Sequence, residues 1–143
     1  MFKKIGMLAI LTIILVITLG CTQKDPCFSF KEQTDSDNCF VERAIEMNNS
    51  SGCAKAEQQS FKDMCEAEIA VKNLELESCN KIEDQSRKDF CISSVSSALY
   101  LDENCDSLST SYWKDICYKS IAINISRNEL CAKLSVSDEW NDC

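Results

Sequence analysis

Apolar side chains in this chain come in short helical stripes, each set behind a polar start and each returning at a fixed distance. Three of the stripes read Met64, Cys65, Ile69; then Phe90, Cys91, Val95, Leu99; then Ile116, Cys117, Ile121, Ile125. Steps of four from each cysteine, with its preceding neighbour alongside, lay these residues on one face of an α-helix. Ahead of the stripes stand Thr34, Ser60, Ser86, Tyr112 and Asp138, each followed three positions later by Asp37, Asp63, Asp89, Asp115 and Asn141. An N-cap residue with an acid or amide three places on is close to a capping box, so a long helix is expected to open at each of these points. In the fourth copy Tyr112 takes the cap position, with Ser109, Thr110 and Ser111 beside it. A second, shorter helix is expected before each long one, with Ser50, Asp102 and Asn128 as caps. In the third copy Leu76 occupies that place and Asn73 is the expected cap. No stretch alternates polar and apolar for long, and of the three glycines only Gly52 lies among the stripes, so no strands are expected.

The spacing behind this pattern is set by cysteine. Cys27, Cys39, Cys53, Cys65, Cys79, Cys91, Cys105, Cys117, Cys131 and Cys143 are separated by steps that alternate between 12 and 14. That is a 26-residue repeat with two cysteines per copy, the mark of stacked supersecondary units. Phe30, Ala56, Ile82, Leu108 and Leu134, each three residues after the first cysteine of a copy, are all apolar. The expected fold is therefore all-α: a short solenoid of disulfide-stapled α-hairpins over residues 27–143, about 40–50 Å long if neighbours lie 8–10 Å apart. Two pairings suit this geometry. The 12-step scheme (27–39, 53–65, 79–91, 105–117, 131–143) uses all ten cysteines, whereas the 14-step scheme strands Cys27 and Cys143. We expect the former, each closure stabilising its hairpin by roughly 3 kcal/mol.

Residues 1–20 have the plan of a signal peptide, with basic Lys3 and Lys4 before an apolar run from Ile5 to Leu19 that is short for a membrane span. The run ends Thr18-Leu19-Gly20-Cys21, which resembles the lipobox of prokaryotic lipoproteins, although the usual Leu three residues before the cysteine is Thr18 here. The resemblance implies lipidation of Cys21, the one cysteine outside the ruler. An uncleaved signal anchor is the alternative, and either leaves the protein tethered at the outer face of the cell membrane. Residues 21–26 form the whole linker, which spans at most roughly 20 Å.

Composition narrows the chemistry. Eleven cysteines in 143 residues point to an oxidising, extracytoplasmic setting. The net charge is −8, and −10 without Lys3 and Lys4, which makes nucleic acid a poor partner. No histidine and no C-x-x-C occur, so zinc chelation, thiol redox catalysis and His-dependent nucleophilic catalysis have no residues to use. Asp35-Ser36-Asp37-Asn38 looks like the opening of a calcium loop, but Cys39 and Phe40 stand where a ligand and a glycine are needed. No catalytic residue, cofactor or metal ligand is assigned. The pairs Lys62-Asp63, Lys88-Asp89 and Lys114-Asp115 are read as helix-start capping rather than as a cation row. Tyr112, Trp113, Tyr118 and Trp140 crowd the last two copies and form a candidate partner patch, since Trp and Tyr favour interfaces. Asn48, Asn49 and Asn124 head N-x-Ser sequons.

Lys114-Asp115-Ile116-Cys117-Tyr118-Lys119-Ser120-Ile121-Ala122 is the fullest copy of a core that resembles the cysteine-repeat lipoproteins of archaeal type. The resemblance covers residues 27–143, is loose in the first copy and brings no activity with it. The expected function is a membrane-tethered extracytoplasmic binding or structural module facing a protein or envelope partner. The alternative is a small extracytoplasmic enzyme or metal-handling protein.

Overall fold

A computed structural model of the chain describes residues 25–135, and every regular element among them is helical. Four long helices carry the second cysteine of each copy: α1 (Gln33–Glu46), α2 (Gln59–Asn73), α4 (Gln85–Leu99) and α5 (Ser111–Ile125). The first cysteine sits on a short lead. It is a 3₁₀ turn at Pro26–Ser29, Ser50–Lys55, Asp102–Ser107 and Asn128–Lys133, and a single α-turn, α3 (Leu76–Cys79), in the third copy. The expected second, shorter helix is present, as a six-residue 3₁₀ helix in the second, fourth and fifth copies and as a four-residue turn in the first and third. With two cysteines only 12 residues apart and the long helix taking 15 of each 26 positions, no length remains for more.

Contacts run only between neighbours. Each long helix packs on its own lead, on the next lead and on the next long helix, and among the described residues α1 touches nothing beyond α2. This is the one-dimensional arrangement of a solenoid. Cys27–Cys39, Cys53–Cys65, Cys79–Cys91 and Cys105–Cys117 are disulfide-bonded with Cα atoms 5.5–5.6 Å apart, which is the 12-step scheme. Cys131 is also in a disulfide; its expected partner, Cys143, lies outside the described residues, as do Cys21 and the N-terminal signal.

The core is divided among the junctions. Val41 and Ala44 of α1 meet Cys53, Ala56, Cys65 and Ile69 of the second copy; Ala67 and Ala70 of α2 meet Cys79, Ile82, Cys91 and Val95 of the third. A third cluster holds Cys105, Leu108, Cys117, Tyr118, Ile121, Ala122 and Leu130. The apolar stripe is narrower than the sequence implies. Cys65 and Ile69, Cys91 and Val95, and Cys117 and Ile121 are buried, but Phe90 and Leu99 are exposed. A slender helix that touches one neighbour on each side covers little more than a step-of-four row.

The expected capping boxes are the main correction. Thr34, Ser60, Ser86 and Tyr112 each stand second in their helix, and the caps are Glu32, Gln58, Asp84 and Thr110, of which Asp84 and Thr110 accept from Arg87 and Trp113 N–H. The aspartates three places on do cap, but they cap the next copy. Asp37 is fully buried and accepts from the backbone N–H of Glu57 and Gln58, both at 2.9 Å. Asp63 accepts from Glu83 and Asp84 N–H at 3.2 and 2.8 Å, Asp89 from Ser109 N–H at 3.0 Å, and Asp115 from Ser135 N–H at 2.9 Å. In the first three copies a glutamine four residues earlier (Gln33, Gln59, Gln85) adds a donor at 2.8 Å. Asp37, Asp63 and Asp89 therefore fasten the loops that feed the next long helix, and Asp115 holds the backbone just after the last described lead. Ser50, Asp102 and Asn128 likewise open their leads rather than cap them. Asn73 closes α2 instead of capping the third copy's lead, where Glu75 stands.

Each long helix ends in a left-handed corner at the same register: Asn48, Leu74, Tyr100 and Ser126, with φ of 51, 57, 59 and 55°. The N–H after each corner returns to the carbonyl of Ala44, Ala70, Ser96 or Ala122 at 2.9–3.0 Å, a Schellman-type closure. Those four residues are buried and small, because the next lead passes directly over them. At Gly52 that approach is so close that a Cβ would stand 2.8 Å from the Ala44 Cβ.

Ser96 is the exception among the four, and its Oγ is buried without a hydrogen-bond partner. Such a group carries a desolvation cost that alanine, present in the other three copies, avoids. Ser96→Ala should raise the unfolding free energy by about 1 kcal/mol in urea denaturation; a loss of stability would show that the hydroxyl is satisfied. The clamp gives a second expectation. Burial pushes the carboxyls of Asp37 and Asp63 upward, but the N–H and amide donors outweigh it, and both end below the usual 3.8. With the folded-state value depressed, their contribution is complete above the free-aspartate range and is lost as pH falls below it. Asp63→Ala should cost about 3 kcal/mol near neutrality, with Asp63→Asn costing less because one oxygen still accepts. Urea midpoints from about pH 6 to about pH 2 should fall below roughly pH 4 in the parent and fall less in Asp63→Asn.

Candidate functional site

The described residues place the aromatic candidates on two different faces. Tyr112 and Trp113 open α5, where Tyr112 is 60% exposed and Trp113 is half-buried against the last core cluster. Their rings meet edge to face with centroids 5.0 Å apart. Phe90 of α4, 39% exposed, meets Trp113 at 5.9 Å in the same manner. Phe90, Tyr112 and Trp113 thus form a three-ring cluster across the junction of the third and fourth copies, a geometry that favours aromatic contacts beyond their buried area.

Tyr118 does not join them and is withdrawn from the patch. It is 2% exposed, within the core cluster, with Leu130 on the lead of the next copy in the same cluster. Five residues along an α-helix turn a side chain by about 140°, which carries Tyr118 away from the face of Trp113. Lys133 lies over its ring at 4.6 Å and donates to its hydroxyl at 3.3 Å. Burial, with Asp106 and Asp102 nearby, holds the phenol well above its ordinary range. Trp140 lies outside the described residues. Phe90 was assigned to the buried stripe from sequence; its place directly before Cys91 sets it one step off the buried row, where it reaches the next copy.

Ionisable chemistry is mostly tied into structure. Asp25 accepts from Arg43, from Lys55 at 3.1 Å and from Cys27 N–H at 3.2 Å. The hydrogen bond from Lys55 leads in holding its carboxyl low, with Cys27 N–H and Arg43 adding to it against burial. Arg127 bridges Asp102 and Glu129, both at 2.9 Å. The Lys-Asp pairs do not make a carboxylate row, because Asp63, Asp89 and Asp115 point into the junctions. Among the described residues no three acidic or cysteine side chains converge as a metal site would require. Glu66 differs from the rest: one oxygen is buried without a partner, and burial raises its pKa, with Lys81 opposing and Glu75 reinforcing. A shallow concavity at the third copy's lead is lined by Glu75, Leu76, Glu77 and Ser78. Glu75 and Lys81 are the ionisable groups that act on Glu66, and no hydrogen bond joins either of them to its buried oxygen.

Comparison with family models, with curated proteins and with solved structures finds no match. The arrangement itself is therefore the basis for a functional reading. It can present a rigid helical face carrying one aromatic cluster and a surplus of acid.

The cluster should separate stability from surface. Trp113 is packed on the core and Tyr112 is not. Trp113→Ala should cost about 2 kcal/mol in thermal or urea unfolding, while Tyr112→Ser should stay within about 0.5 kcal/mol of the parent. Equal losses would mean that Tyr112 is structural.

Proposed function

We propose that the chain is a membrane-tethered extracytoplasmic module that binds a protein or envelope partner, not a catalyst. The observation that carries this reading is the use to which its buried groups are put. Eight of the ruler cysteines are paired with one another and four aspartates are engaged in the clamps. Among the exposed apolar groups, Phe90 and Tyr112 with the half-buried Trp113 form a three-ring cluster, an arrangement suited to recognition because the rings are already ordered by their neighbours.

The tether is the second part of the reading. Among the described residues no helix is long and apolar enough to cross a membrane, so attachment is assigned to the Gly20-Cys21 pair and the apolar run before it. The likeness to archaeal-type cysteine-repeat lipoproteins agrees with this placement. Glu66, with its raised carboxyl and with Glu75 and Lys81 acting on it, is the one observation on the side of an enzyme, and its buried oxygen has no hydrogen-bonded partner through which a proton could pass.

Cross-linking of the native envelope, followed by capture of this chain, should recover a partner with the parent protein and lose it with Tyr112→Ser, whose fold is expected to be intact. Cys21→Ser should leave the precursor unprocessed or free the protein from detergent-phase membranes. Capture unaffected by Tyr112→Ser together with Phe90→Ser would remove the aromatic cluster as the contact. Unchanged processing and partitioning of Cys21→Ser would replace the lipid anchor with a signal anchor.

A further inference from the structure

The first copy presents the same junction face as the others with nothing described against it. Three residues after the first cysteine, Ala56, Ile82 and Leu108 are each 2% exposed, covered by the preceding copy, but Phe30 is 49% exposed. Phe28, on the same end turn, is 56% exposed and leans edge to face on the buried Phe40 with centroids 4.9 Å apart. In the later copies the loop N–H groups that follow are held by an aspartate of the copy before. Among the described residues no carboxylate reaches the equivalent N–H groups of Lys31 and Glu32. A solenoid normally closes such an end with a polar cap; here two phenylalanines and Lys31 stand there instead.

We infer that this end face lies in the lipid headgroup region, giving the protein a second membrane contact beside its anchor. The inference rests on the tethered reading above, and the tether length is what selects lipid over other occupants. Asp25 is fastened to Arg43 and Lys55 and so belongs to the first copy. Cys21 stands four residues earlier, a reach of at most about 14 Å. An anchor at that cysteine holds the end face within about 14 Å of its lipid, and one in the run ending at Leu19 within about 21 Å, so the face can reach the headgroup layer in either case. Phe28 and Phe30 then insert at the polar–apolar boundary, where amphipathic and aromatic groups with a nearby lysine are favoured. The N–H groups of Lys31 and Glu32, which no carboxylate among the described residues reaches, then face lipid phosphate and ester oxygens. One acyl anchor alone fixes position but not tilt; a second contact at the end face stands the stack upright, with the aromatic cluster of the third junction away from the bilayer.

The test uses the full chain taken from its envelope fraction and reconstituted in phosphatidylcholine vesicles. Trp113→Phe and Trp140→Phe remove the native indoles, and a single tryptophan is placed by Phe30→Trp or, as a remote control, by Ile123→Trp. Ile123 is exposed on α5, three helix layers and about 24–30 Å from α1. Lipids brominated high on the acyl chain should quench the Phe30→Trp emission by about half and leave Ile123→Trp nearly unchanged. If the protein floats with the vesicles but Phe30→Trp is not quenched, the face is not at the lipid and the inference fails while the tether stands. Equal quenching of both indoles would mean that the stack lies flat, which also overturns it. Failure to float with vesicles would overturn the tether and the inference together. An unquenched Phe30→Trp with copies cross-linked through Phe28 would assign the face to a second copy instead.

Discussion

A buried aspartate reaching 20 or 21 residues ahead to the backbone of the next copy is the interaction on which this structure depends. Each disulfide closes a loop of about a dozen residues and acts within one copy, so it cannot hold one copy to another. The apolar junctions are small, built largely from Ala, Cys and single Val, Ile or Leu side chains. Small-residue junctions bring backbones close but give little depth of core. The carboxylate supplies what they lack, a directional bond between copies whose strength comes from charge and from exclusion of water. Its position also fixes the phase of the repeat. A lead one residue longer or shorter would offer the wrong N–H to the same oxygen.

The left-handed corners serve the same geometry at the opposite end of each long helix. A corner in this conformation costs non-glycine residues about 1–2 kcal/mol, yet Leu74, Tyr100 and Ser126 all adopt it. The return bond to Ala44, Ala70, Ser96 and Ala122 explains why the strain is accepted. It turns the chain at once onto the small residue that the next lead covers, so the disulfide and the clamp meet their partners in register. Ser96 departs from this scheme, and its junction is more polar than the two before it, with Ser93 also buried on the same helix.

The parts of this fold that were legible in the sequence were those fixed by number. The 26-residue period, the all-helical stack and the 12-step pairing follow from cysteine spacing and from the requirement that every cysteine find a partner. The clamp was half legible. Thr34–Asp37 and its later equivalents read as a local capping box, since in a strict repeat an aspartate at one register serves its own helix or the next copy equally well on paper. Burial separates the two, and burial depends on packing that spacing does not state. The corners were illegible because they carry Asn, Leu, Tyr and Ser where a glycine would have announced them. Tyr118 and Tyr112 looked alike as aromatics near one another in sequence, and only the direction of each side chain around α5 sends one to the core and the other to the surface.

Positions that repeat with little or no change are accounted for by structure: the cysteines, the clamp aspartates of the first four copies, the small residue (Ala or Ser) under each lead. Function is better sought at registers where the copies disagree. Eight residues after the first cysteine stand Asp35, Phe61, Arg87 and Trp113, and eleven after it stand Asn38, Met64, Phe90 and Ile116. The ring contact between Phe90 and Trp113 pairs the second register of one copy with the first register of the next. The corresponding pairs at the earlier junctions are Asn38 with Phe61 and Met64 with Arg87. Only the third junction sets two aromatic rings there, with Tyr112 added beside them. Trp113 packs on its core as Phe61 does at the first junction, but the clamp does not demand a pair of rings, because the earlier junctions close by it without one. A single chain built of near-copies thus contains its own control, and the cluster at the third junction is what the comparison between copies leaves unexplained by the fold.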